Sequence, residues 1–145
     1  MLNTIIDALE ELETHAGSAD FAVRWRAFLR ECALALADRL PLEVRPWIEA
    51  ADAYEQGAID ASELEVARVA AWRFHDGMRA QLAAPVIAGL RVVMYRLWPD
   101  DGTDWFMSAR HFLDFFLEAG LPVELFHAQL QRRFGDLLAG ATAGR

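Results

Sequence analysis

WIEAADAYEQGAIDASELEVARVAAWRFHD, residues 47–76, reads as a helix, a stop at Gly57 and a freshly capped second helix. Trp47, Ile48, Ala51 and Tyr54 recur at the spacing that lines one face of a helix, and Leu64, Ala67, Ala71 and Phe74 do so in the second arm. Gly57 can take the left-handed backbone that closes a helix. Asp60 followed by Glu63 is a D-x-x-E capping box, with Ile59 placed to staple against Leu64. An antiparallel helix pair is the seed for the rest. The same stretch has the length of a calcium-binding EF-hand loop, running from Asp52 through Gly57 to Glu63. Its third and fifth positions are Tyr54 and Gln56, which lack the carboxylates a hard cation needs. A helix end followed by a capping box accounts for every matching residue, and no metal is expected.

Outward from this pair, every periodic segment scores as helix. Leu2, Ile5, Ile6, Leu9 and Leu12 stripe the first helix, which runs to His15 and ends at Gly17. Ser18 or Asp20 caps the next, expected to reach Leu40, with Phe21, Trp25, Phe28, Leu29, Cys32, Leu36 and Leu40 on one face. Arg24, Arg26, Arg30 and Glu31 fall on its other side. Pro46 suits the first turn of the arm that begins at Trp47. Val86–Trp98 is apolar at helical spacing; Val92-Val93 leaves a strand open, but no neighbouring segment looks like a sheet partner. PDDGT, residues 99–103, is a turn, and Thr103 or Asp104 caps a helix that continues to Ala119. Pro122 opens the last helix, striped by Val123, Phe126, Leu130, Phe134, Leu137 and Leu138. The expectation is all-α: a single-domain helical bundle of six to seven helices over residues 1–139, with a frayed tail over 140–145.

Composition narrows the function classes. The 145 residues are 54% hydrophobic, enough for one core, and the net charge is −8. The acidic balance disfavours nucleic acid and anionic membrane as partners and favours a cationic protein. No apolar run approaches the ~20 residues that span a bilayer. The acidic opening MLNTIIDALEELE lacks a basic leader, so no secretory signal is expected. Cys32 is the only cysteine and has no internal disulfide partner, which fits a reducing, cytoplasmic location. All 14 basic residues are arginine.

Candidates for chemistry are thin. Glu124 and His127 form one E-x-x-H, whereas bundle di-metal sites need two copies and further glutamates. His75-Asp76 and His111 near Asp114 could orient an imidazole, but surface ion pairs explain them more simply. There is no phosphate-binding glycine loop, no H-E-x-x-H and no nucleophile elbow. No catalytic residue, metal or cofactor is expected. The loop Asp100, Asp101 and Asp104, bordered by Trp98 and Trp105, suits a basic partner, since acidic loops steer and aromatics anchor. Glu10, Glu11 and Glu13 form a second acidic face. Phe106, Phe112, Phe115 and Phe116 crowd one helix, and most belong in a core.

One stretch resembles a known class. Cys32-Ala33, Ala37-Asp38-Arg39, Ile48-Glu49-Ala50-Ala51, Tyr54-Glu55-Gln56-Gly57, Ile59, Glu63-Leu64, Ala67-Arg68 and Ala70-Ala71-Trp72 are similar to small acidic bacterial immunity proteins of polymorphic toxin systems. The match covers residues 32–72, and WPDDGTDWFMSARHFLDFF departs from the alanine-rich pattern of that class. The resemblance implies an all-α cytosolic protein that binds and blocks a toxin, and it supplies no catalytic residues. The function expected is a non-catalytic binding domain, an immunity-type inhibitor occluding a basic toxin domain. Its partner contacts would be Asp100, Asp101, Asp104, Trp105, Glu10, Glu11 and Glu13. The alternatives are a structural homodimer and, third, a metal-dependent helical enzyme using Glu124 and His127.

Overall fold

Gly57 takes φ +77° just after the first arm of the central pair and Asp60 caps the second, as the sequence predicts. The Asp60 side chain accepts from the Glu63 backbone N–H at 2.9 Å, and the Glu63 carboxylate accepts from the Asp60 N–H at 3.4 Å. This computed structural model describes residues 1–99 and 104–138. Among them are seven α-helices and no strand: α1 (Leu2–Glu13), α2 (Ala19–Leu34), α3 (Arg45–Glu55), α4 (Ala61–Met78), α5 (Ala84–Met94), α6 (Trp105–Glu118) and α7 (Val123–Phe134). Gly17 and Gly120 also carry positive φ, so three of the chain's turns rest on residues without a Cβ penalty. Asp60→Ala removes one half of the capping box, and chemical denaturation should read a loss of about 1 kcal/mol.

The chain packs as two helix groups around α5. α1, α2, α6 and α7 enclose one cluster, in which Trp25, Phe28, Phe112 and Phe126 meet ring to ring. α3, α4 and the far side of α5 enclose a second, around Ala51, Leu64, Leu90, Val93 and Met94. α5 therefore gives Ala88 and Val92 to one cluster and Leu90, Val93 and Met94 to the other. A helix buried on both sides needs few polar positions, and this explains why α5 carries apolar residues round its circumference, with Arg91 as its one charged position. Gly89 makes the crossing close: a Cβ there would lie 3.0 Å from Leu40 Cδ2.

Three expectations need correction. α2 ends at Leu34 rather than near Leu40, and a 3-10 turn over Ala37–Arg39 carries the chain onward. Leu36 is still buried and Leu40 still packs inward, so the apolar spacing was right while the helix was not continuous. Arg26 does not lie on the solvent side of α2; it is 9% exposed. Leu2 is exposed, at one end of the α1 stripe. Phe112 and Phe116 are fully buried, and Phe106 and Phe115 pack on the same cluster half-buried. Cys32 is 1% exposed, and burial pushes its thiol well above the ordinary range. The folded protein should therefore resist alkylation at pH 8 and react once unfolded, as a mass-spectrometric labelling time course would record.

Candidate functional site

The end of the bundle where α6 begins gathers the residues proposed for partner binding that the structure describes. Phe21 and Trp105 meet edge to face at 5.1 Å, so the first turn of α6 sits beside the first turn of α2. α1 ends one short turn before α2, which brings Glu10, Glu11 and Glu13 toward the same end as Asp104. Arg24 of α2 ties in the chain after α7 through a two-pronged contact with Asp136, at 2.6 and 3.1 Å, and also holds Asp20 at 3.0 Å. Those bonds hold the Asp136 carboxyl below its usual range, and nearby His15 adds to the effect. The acidic last turn of α1 and Asp104, read separately from the sequence, thus share one end of the fold.

Within that end the individual residues fare differently. Glu10 and Glu13 are exposed, and Glu11 is half-buried. Asp104 is exposed in a left-handed conformation, φ 51°, at the start of α6, where its side chain makes no capping hydrogen bond. Asp100 and Asp101 lie outside the described residues. Trp105 is 5% exposed and belongs to the core, against Phe21 and Trp25, so its ring does not present an open anchor. The reason is periodicity: Trp105, Ala109, Phe112 and Phe116 form the buried stripe of α6. The exposed aromatic bordering the loop is Trp98, at 49%, joined on the first turn of α6 by Met107, at 52%.

Trp98 is held by a device that sequence periodicity did not reveal. The chain leaves α5 through a 3-10 turn, Tyr95–Leu97, whose terminal carbonyls have no helical partner. Arg26 donates to the carbonyls of Arg96 at 2.8 Å and Trp98 at 2.9 Å, while Arg68 donates to that of Leu97 at 2.9 Å. Arg68 also lies over the Trp98 ring, 4.1 Å from its centroid. Cations at a helix C-terminus offset its negative end as well as its open carbonyls.

Arg96 itself turns inward, 1% exposed, to meet Asp52 at 2.7 Å and Glu55 at 3.1 Å on α3. Glu55 reaches Arg26 with its other oxygen at 3.2 Å, closing the network. One sequence signal could have exposed this arrangement. An arginine set in the apolar run VVMYRLW must find a carboxylate if that run is buried.

The other candidates separate. Asp52 and Glu63, the end residues of the calcium reading, are engaged by Arg96 and by the capping box. Among the described residues no group of three His, Cys, Asp or Glu side chains is placed to hold a metal ion. Glu124 is exposed and His127 half-buried on the first turns of α7. No helix in the described residues is long and apolar enough to cross a membrane. A cleft of about 580 Å³ runs beside α2, lined by Arg26, Arg30, Glu31, Tyr54, Glu55 and Arg133 among others. Its arginines face carboxylates: Arg26 with Glu55, Arg133 with Glu31 at 3.1 Å and Arg30 with Asp52 at 3.5 Å. Comparison with known proteins returns no match, whether to a family model, a curated protein or a solved structure.

Proposed function

We propose that the protein is a non-catalytic binding domain that captures a cationic protein partner at its acidic end, most concretely an immunity-type inhibitor that occludes a basic toxin domain. The observation that carries this reading is the last turn of α1. Glu10, Glu11 and Glu13 crowd the C-terminal, negative end of that helix, and no basic residue stands in the turn. Negative charge there opposes the helix dipole, at roughly 0.3–1 kcal/mol for each exposed group. A basic partner would relieve that repulsion on binding, while Trp98 and Met107 supply apolar anchorage beside the steering charge.

Two measurements test it together. Glu10→Gln with Glu13→Gln should raise the melting temperature of the free protein by a few degrees, at about 2–4 °C per kcal/mol for a chain of this size. The same variant should capture less partner. In a tagged pull-down from the organism that encodes the chain, wild type should recover one basic protein with a toxin-like domain. The Glu10/Glu13 variant and Trp98→Ala should recover less of it. Equal recovery by all three would remove this end from the interface, and recovery of the bait alone would favour self-association.

A further inference from the structure

At the far end of the α5–α6 pair from Trp98 and Asp104, a cavity of about 310 Å³ opens between the end of α4, the start of α5 and the end of α6. Its polar lining is His75 from α4, Arg79 just beyond that helix, Arg91 from α5 and Glu118 from α6, with Ile87 and Phe115 among its apolar walls. From this lining we infer that the cavity is a binding site for a small monocarboxylate bearing an apolar or aromatic group.

Arg91 carries the argument. Its guanidinium lies over the rings of Trp72, at 4.8 Å, and Phe115, at 4.3 Å. Two aromatic contacts fix its plane and leave its N–H edges for a partner, and that planar fork matches a carboxylate. Arg24, Arg26, Arg30, Arg68, Arg96 and Arg133 all meet a carboxylate. Among the described residues, neither Arg91 nor Arg79 has a carboxylate within ion-pair distance. What sets these two apart is their place: both line one cavity, and Arg91 is held there by two aromatic rings.

The other walls narrow the ligand. The planar fork of Arg91 matches a single carboxylate, and Glu118 in the same lining disfavours a phosphate dianion. The His75 side chain is 5% exposed, with Nδ1 3.1 Å from the Asp76 carboxylate and the ring edge-on to Trp72 at 5.2 Å. Its Nε2 is thus the ring nitrogen left for a ligand, and the charged groups around it are Asp76, Arg79, Arg91 and Glu118. Ile87 and Phe115 give the rest of the ligand an apolar surface, and the volume is in the range of small-ligand sites.

The test is a nuclear magnetic resonance titration of the full chain with benzoate, with neutral benzamide and inorganic phosphate as comparisons. Benzoate should give saturable shifts confined to residues 72–91 and 115–118, at least tenfold tighter than benzamide. Arg91→Gln should weaken benzoate at least tenfold. Arg79→Gln, at an exposed position that keeps the Arg91 stacking intact, should weaken it severalfold. Arg30→Gln, in the other cleft, should leave it unchanged. Equal binding of benzoate and benzamide, a preference for phosphate, or benzoate shifts unaltered in both the Arg79 and Arg91 variants would each overturn the assignment.

Discussion

Arg96→Ala is expected to lower the stability of the protein by about 3–5 kcal/mol, the usual consequence of removing one partner from a buried ion pair. The substitution deletes the cation that Asp52 and Glu55 share and leaves two carboxylates facing a low-dielectric pocket. Their side chains are 34% and 20% exposed, so partial hydration and the remaining Arg26 and Arg30 contacts pull the effect toward the lower figure. At about 2–4 °C per kcal/mol, the melting temperature should fall by roughly 10 °C. A second variant separates charge from packing. Arg96→Met combined with Asp52→Asn and Glu55→Gln removes the ions together, and it should recover most of the loss. A fall as large in the triple variant as in Arg96→Ala would show that stranded carboxylates are not the cause of the loss. Because Arg26 binds the carbonyls of residues 96 and 98, the single variant should also loosen Trp98, which hydrogen exchange at residues 95–99 would report.

Trp105→Ala and Trp98→Ala should divide cleanly, although both residues border the same loop. Trp105 is packed among Phe21, Trp25 and Ala109, and truncating it opens a cavity at the meeting point of α2 and α6. The expected loss is about 3–5 kcal/mol, a large share of a stability that for natural domains is about 5–15 kcal/mol. Trp98→Ala removes a half-exposed ring whose main contact is the stacked Arg68, and stability should change by about 1 kcal/mol or less. Partner capture should respond in the opposite order. Trp98→Ala should weaken it in a folded protein, while Trp105→Phe, which keeps the core filled, should leave it near wild type. Partner loss in the folded Trp105→Phe variant, with Trp98→Ala unaffected, would reverse the assignment of the anchor.

How much of this was legible in the sequence follows from what local physics can encode. Gly57, Asp60 and Glu63 fixed the turn at the centre of the chain because a left-handed glycine and a capping box are properties of a few adjacent residues. The stripes of α1, α2, α6 and α7 were readable for a similar reason, since helical period follows from spacing alone. The α2 boundary was less so: Leu36 and Leu40 are core residues at the right spacing, yet the chain reaches them through a 3-10 turn. The shared position of Asp104 and the last turn of α1 was not legible, because it depends on the Phe21–Trp105 contact between distant helices.

By itself, the sequence determined that this is an all-α chain of net charge −8 with no apolar run long enough to span a bilayer, along with most of the faces its helices bury. Only the tertiary structure decided which of two tryptophans beside one loop is core and which is surface. It also decided that Arg96 is buried between two α3 carboxylates, and that Arg91 is stacked between two rings while Arg24 is ion-paired. The physical reason is the same in each case. Helical period and capping are set within a turn or two of chain, whereas the environment of a charge or a ring is set by residues dozens of positions away. Arginine reads as a surface residue until a neighbouring helix brings it a carboxylate or an aromatic face.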